Sequence, residues 1–287
     1  MQELREKTAV VTGAASGIGR ALAERFAEEG MKLVLADVDR GGLEEVAKSL
    51  EARGTETLLV PTDVSRPEEV DALADKAFAA FEQVHVVCNN AGVFSGGNSW
   101  ETPIEDYQWV LGVNTFGVIH GIRSFVPRLI AQDCEAHVVN TASMAGVTTM
   151  PFVAAYNMSK HAVVALSEVL YHELTLSQTK VGVSVLCPEA IATRIDDAER
   201  NRPDQYHNDP ASAAPNPAKE VVANALSETV RGGLDPSVMA DRVVKAIRDR
   251  RFYILSQEDG WRRCCNTRLD DVREGRNPTF APPAEGE

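Results

Sequence analysis

The chain has 287 residues, 44% of them hydrophobic, which is enough to bury a full core and suits one large domain better than two. A formal net charge of −13 repels phosphate backbones and argues against nucleic acid as a partner. The five cysteines form no CxxC pair and the six histidines no HExxH spacing, so neither a disulfide framework nor a metal site is expected.

In chain order, the N-terminal MQELREKTAVVTG carries both charge signs around an apolar run too short for a signal peptide. No apolar stretch approaches the ~20 residues that span a bilayer, so the expected compartment is the cytoplasm and no membrane partner is expected. Short, mostly β-branched apolar runs follow at 8–11, 32–36, 57–60, 84–88, 137–140, 181–187 and 252–255. Such runs predict strands covered on both faces. Cys88 and Cys187 fall inside them and read as small core residues. Cys264 and Cys265 read as two thiols near a variable tail.

Amphipathic stretches fill the gaps. Residues 18–29 end at Gly30, 42–52 end near Gly54, and a third helix opens at Pro67 with Glu68 and Glu69 in its first turn. Two long helices are expected at 104–130 and 154–176, and a shorter one at 236–248. This alternation predicts an α/β fold: one Rossmann-like, doubly wound parallel sheet of about seven strands with helices on both faces, occupying 1–287. Ligands in such sheets bind at the carboxyl ends of the strands, near the switch point. The polar segment 192–236, rich in Pro, Asn, Asp and Ala, is too long for a plain connection and is expected to be a substrate lid. The tail after 275 reads as frayed.

The first strand runs into Thr12-Gly13-Ala14-Ala15-Ser16-Gly17-Ile18-Gly19 and then a helix. Glycines permit the sharp turn and close approach of backbone to a pyrophosphate, and the helix N-terminus offers free N–H groups. Gly13, Ser16, Gly17, Ile18 and Gly19 are therefore expected to bind a dinucleotide. Strand two ends at Asp37, whose carboxylate can accept from the adenosine ribose hydroxyls and repel a 2′-phosphate. No basic residue stands at Ser16 or Val38, so NAD is favoured over NADP; Asp39 reads as a solvated turn residue.

Four ordered motifs together resemble the short-chain dehydrogenase/reductase family, in its short single-domain branch. They are the TGxxxGxG pattern at 12–19, Asn89-Asn90-Ala91-Gly92 after strand four, Ser143 after strand five, and Tyr156-Asn157-Met158-Ser159-Lys160, a YxxSK signature thirteen residues after the serine. The resemblance covers residues 7 to 255. It implies Asp63 and Val64 beside the adenine, Asn90, Ala91 and Gly92 along the cofactor, and Pro188 and Thr193 at the nicotinamide. It implies a catalytic tetrad of Asn114, Ser143, Tyr156 and Lys160, with Lys160 also on the ribose hydroxyls and Asn114 on a water that relays protons through Lys160. It implies a homo-oligomer, tetramer or dimer, built partly on the 104–130 and 154–176 helices.

Tyr156 and Lys160 are four residues apart and share one helix face. A nearby ammonium favours phenolate, so the tyrosine pKa is expected to fall from its ordinary value of about 10 towards neutrality. That makes it a better acid/base for moving a proton to or from a carbonyl oxygen, which Ser143 can steady. The expected reaction is NAD(H)-dependent interconversion of a secondary alcohol and a ketone. Pocket walls are implied at Val93, Phe94, Met144, Phe152 and Ile195, which are mostly apolar and predict a hydrophobic or aromatic substrate. Glu189 departs from the family, which has glycine there. Its carboxylate is either beside the nicotinamide, where it can meet a polar or cationic substrate group, or turned to the lid or solvent. Two rival readings are weaker. A nucleotide-sugar epimerase usually carries a TGxxGxxG loop and a larger C-terminal domain. A redox-sensing regulator without turnover typically lacks the Tyr or the Lys, and both are present here.

Overall fold

The computed structural model describes residues 1–208 and 217–282. The apolar runs form strands β1 (Thr8–Thr12), β2 (Lys32–Asp37), β3 (Thr57–Pro61), β4 (Val86–Asn89), β5 (Ala136–Thr141), β6 (Val181–Cys187) and β7 (Tyr253–Leu255). They pair in parallel in the order β3-β2-β1-β4-β5-β6-β7. Every residue of β1, β4 and β5 is buried, which is why these runs are continuously apolar rather than alternating.

The helices are α1 (Gly17–Glu28), α2 (Arg40–Glu51), α3 (Pro67–Phe81), α4 (Ile104–Leu111), α5 (Gly117–Ala131), α6 (Ala154–Leu176), α7 (Pro217–Arg231), α8 (Pro236–Asp249) and α9 (Asp259–Glu274). On one face of the sheet, Leu22 and Phe26 of α1, Leu43 and Leu50 of α2, and Val243 and Ile247 of α8 share a core with β1 and β2. On the other, Leu73 of α3, Phe125 and Leu129 of α5, and Leu170 and Leu174 of α6 pack against β1, β4 and β5. The chain is thus Rossmann-like and doubly wound. Its order reverses between β1 and β4, so the loops leaving those two strands diverge and open a crevice at their carboxyl ends.

The structure departs from these expectations or adds to them at three places. The 104–130 stretch is not one helix: a π turn at Gly112–Phe116 separates α4 from α5 and carries Asn114. One extra residue in a helical turn re-aims the side chains around it, and such turns concentrate at functional sites. The 192–236 connection is not a plain polar loop. Its ends are tied by a parallel bridge between Ile191 and Leu234, it begins with 3₁₀ turns at Ile195–Asn201 and Asp204–Tyr206, and it ends in α7; residues 209–216 of it lie outside the described residues. Third, α9 follows the last strand where no element was expected. Beyond it, residues 276–282 form no regular element, yet the Thr279 N–H donates to Asp271 and the Cys264 thiol to the Ala281 carbonyl; residues 283–287 lie outside the described residues. Cys88 and Cys187 are buried in β4 and β6, as expected. Among the described residues, no helix is long and apolar enough to cross a membrane.

Candidate active site

The loop from β1 into α1 is shaped by its glycines. Gly13 and Gly17 lie in the left-handed region, at φ +69° and +54°. Gly19 does not line the crevice; it packs beneath the loop, and a Cβ there would sit 2.0 Å from the Gly13 carbonyl oxygen. No side chain caps the first turn of α1, which leaves that helix N-terminus to an outside acceptor. The loop is stitched to the neighbouring strand by Thr12. Its Oγ1 accepts from the Asn90 and Ala91 N–H groups, and the Asn90 amide donates to the Thr12 carbonyl at 3.0 Å.

Asp37, at the end of β2, accepts from the Ala15 N–H and the Asp39 N–H, both at 3.0 Å. Burial raises its pKa, partly countered by those backbone donors. Each carboxylate oxygen keeps a second lone pair for a ligand hydroxyl. The basic residues nearby have partners: Arg20 pairs with Glu24 and Arg40 with Glu44, each at 2.9 Å. Asp39 turns out to cap α2, accepting from the Gly42 N–H. Asp63 and Val64 line the same end of the crevice, and the Asp63 carboxylate accepts from the Ser65 hydroxyl and N–H.

Three elements bring the expected tetrad together. Ser143 follows β5, Tyr156 and Lys160 sit one turn apart in α6, and Asn114 projects from the π turn. Lys160 is 3% exposed; its ammonium donates to the Thr141 carbonyl at 3.0 Å and lies 5.6 Å from the centre of the Tyr156 ring. Asn114 is buried behind the crevice rather than lining it. Its amide donates to the Val93 carbonyl and the Ser159 hydroxyl, while its oxygen accepts from the Val93 N–H. Gly92 passes so close that a Cβ would touch both Asn114 Oδ1 (3.4 Å) and Lys160 Nζ (3.5 Å).

Burial dominates the titration of this group. It pushes Tyr156 up to about 12, with the Ser143 hydroxyl pulling the other way, and Lys160 down to about 8. The expected lowering of the tyrosine is therefore not a property of the protein alone. The ammonium lies over the ring and donates to Thr141 instead of the phenol oxygen, so loss of solvent outweighs it.

The crevice encloses about 510 Å³. Gly13, Ser16, Gly17, Ile18, Asn90, Ala91, Gly92, Pro188 and Thr193 line it, as do Val93, Phe94 and Ile195; the Phe94 ring packs 5.0 Å from that of Tyr156. Two expected wall residues do not line it. Met144 points into a core with Val163, Val164 and Val185, and Phe152 is exposed, held at φ +66° where its carbonyl accepts from the Gly97 N–H. Glu189 lines the wall, but its side chain is 0% exposed and accepts two hydrogen bonds (2.8 and 3.0 Å) from Arg242 of α8, an ion pair that neither sequence reading of Glu189 contained.

Several wall residues escaped the sequence reading: Trp109 of α4, Val222, Leu226 and Val230 of α7, and Trp261 of α9. The spacing of 222, 226 and 230 is that of one helical face and was a usable signal, masked by the polar composition around it. Arg202 escaped too. It is buried over the Trp109 indole at 4.8 Å and paired with Asp106, which also accepts from Ser95 and Asn208. These contacts dock the start of the 192–236 connection onto α4.

The family model for short chain dehydrogenases matches residues 7–204. The chain is similar to a 1-deoxy-11-beta-hydroxypentalenate dehydrogenase of Streptomyces exfoliatus, with 37% identity over 99% of this chain and 94% of that one. It is 32% identical to a C alpha-dehydrogenase of a Sphingobium species, over 89% of this chain and 82% of that protein. Among solved structures it resembles a short chain dehydrogenase/reductase from Burkholderia phymatum in complex with NAD, with a TM-score of 0.94 and 47% identity over 98% of this chain and 99% of that one.

Proposed function

The chain belongs to the short-chain dehydrogenase/reductase family, and from that premise we propose that it is an NAD(H)-dependent oxidoreductase interconverting a secondary alcohol and a ketone on an apolar frame. The observation that carries the reading is the convergence of Ser143, Tyr156 and the buried Lys160 on one crevice, between a glycine-shaped helix N-terminus and an apolar wall.

The residues present fit the dinucleotide: a Cβ at Gly13 would lie 2.8 Å from the Ala91 backbone, so the loop is held open only by glycine. The Gly13–Gly19 turn and the α1 N-terminus would take the pyrophosphate, Asp37 the adenosine ribose, and Asp63 and Val64 the adenine. Gly92 and Lys160 would take the second ribose, with Pro188 and Thr193 at the nicotinamide. The partnered Arg20 and Arg40 support NAD over NADP. Bound NAD supplies a hydride acceptor, and NADH the donor.

In the oxidative direction the substrate C–H hydride leaves carbon, the hydroxyl proton goes to Tyr156, and a C=O forms. In reduction Tyr156 returns that proton to the oxygen. Ser143 donates a hydrogen bond to the substrate oxygen, where charge develops. Lys160 stabilises the phenolate. Asn114 ties Val93, which follows Gly92, to Ser159, which precedes the lysine. The oxidised nicotinamide's positive charge favours the phenolate as well, opposing the burial that holds Tyr156 at about 12. Exposed apolar side chains on α5 and α6, among them Ile130, Met158 and Val169, support a homo-oligomer.

The test follows absorbance at 340 nm with a panel of aromatic and aliphatic secondary alcohols and, separately, NAD⁺ and NADP⁺. Reduction of NAD⁺ with an aromatic secondary alcohol is expected. Turnover with NADP⁺ alone overturns the cofactor reading, and good activity confined to small polar diols overturns the apolar pocket.

A further inference from the structure

At the substrate end of the crevice the acids are already engaged. Glu189, in the wall, is closed off by Arg242, and Asp106, behind it, is held by Arg202, Ser95 and Asn208. The wall there is apolar: Val93, Phe94, Trp109, Val222, Leu226 and Trp261. Arg200 is a cation in that wall, and its side chain is only 23% exposed.

Its guanidinium is half used. Nη1 donates to the carbonyls of Arg194 (2.9 Å) and Asp197 (2.7 Å), which fixes the plane of the group. The one carboxylate within ion-pair range of it among the described residues is Asp197, 3.8 Å from Nη1. That oxygen is held more closely by Arg194, at 2.6 Å. No partner within the described residues takes the Nε/Nη2 edge, and that edge can pair a carboxylate with two parallel hydrogen bonds.

An anion for this edge has two sources, the substrate or the cofactor phosphates. Arg194 lines both the crevice and the outer side of the glycine loop beside Gly17 and Thr193, whereas Arg200 lines the crevice alone. We propose that Arg200 is a specificity-determining residue that receives a carboxylate carried by the substrate, so that the substrate class is an apolar hydroxy acid and its keto acid. This rests on the reading of the crevice as a secondary-alcohol site.

The experiment compares the 3- and 4-carboxylates of 1-phenylethanol with their methyl esters and with 1-phenylethanol itself, in the wild type and in Arg200→Gln and Arg200→Lys. The wild type is expected to prefer one acid over its ester by roughly ten- to a hundredfold in kcat/KM, the range of a hydrogen-bonded charge. Arg200→Gln collapses that ratio through the acid, mainly in KM, and Arg200→Lys restores part of it. Binding of NADH, read by its fluorescence, stays within about twofold in both variants, a margin well under the roughly tenfold loss of one charge-assisted contact. Turnover of the esters and 1-phenylethanol without preference for either acid overturns this inference and leaves the alcohol reading standing. Weakened NADH binding in Arg200→Gln overturns it in favour of the cofactor phosphates. Silence of the wild type on every probe counts against the alcohol reading itself, and this inference falls with it.

Discussion

Residues 8–64 approach the crevice mainly with backbone: two left-handed glycines, a bare helix N-terminus and a carboxylate held by two N–H groups. Residues 193–203, residues 222–230 and Trp261 approach it with side chains, on short 3₁₀ turns docked onto α4 by Arg202 and Asp106, and on α7. On the proposed reading, the first region would serve a ligand whose phosphates and ribose never change, for which fixed backbone geometry suffices. The second would face the substrate, and its walls are set by which side chains meet across long sequence distances. Cofactor recognition would then be local, and substrate recognition assembled.

Removing the chemistry while keeping the backbone half intact is the largest test of that division. Tyr156→Phe is expected to lower kcat by about a thousandfold, within the range of a lost general acid/base, with NADH binding retained. Steady-state turnover beside fluorescence titration of NADH checks it, and retained turnover contradicts the role. Next is the ion pair in the crevice wall. Glu189→Ala leaves Arg242, 16% exposed, without its partner and is expected to cost about 3–5 kcal/mol of stability in chemical denaturation. Glu189→Leu with Arg242→Met is expected to recover most of that loss, because apolar replacements of similar volume leave no unpaired charge.

A smaller effect belongs to the backbone half alone. Asp37→Ala is expected to weaken NADH binding about tenfold and to relieve exclusion of NADPH, since the charge it removes both accepts from ribose and repels a 2′-phosphate. Equal use of NADPH by the unmodified protein contradicts this. The smallest effect is graded with pH. Burial holds His85 down at about 4 and His137 at about 3, below the ordinary 6.5. The His85 Nδ1 accepts from the Thr8 N–H, a bond that protonation destroys. Because the unfolded chain takes up these protons first, stability present above pH ~6.5 is lost as the pH falls towards the folded values. Tm is expected to drop between pH 6.5 and 5, where ordinary carboxylates do not yet titrate; a flat Tm there removes the histidines from the account.

Legibility followed the same division. The glycine turn, Asp37 and the Tyr156–Lys160 spacing lie within single turns or at strand ends, and the alternating pattern placed them correctly. Asn114 was named by the family resemblance, but its π turn was not, because apolar residues continue on both sides of it and the 104–130 stretch reads as one helix. Met144 and Phe152 were placed in the wall by the family resemblance, and packing turned one inward and the other outward. Glu189 was legible as an anomaly, yet its partner lies 53 residues away on α8.

By itself the sequence determined the strand–helix order, the parallel sheet, the glycine turn and the shared helix face of Tyr156 and Lys160, because periodicity, glycine conformation and i,i+4 spacing act over a few residues; Ser143 and Asn114 came from the family resemblance. Only the tertiary structure decided the substrate wall, the neutralisation of Glu189, the half-used guanidinium of Arg200 and the upward shift of Tyr156. These depend on which groups lose water together, and that is fixed only when distant segments pack.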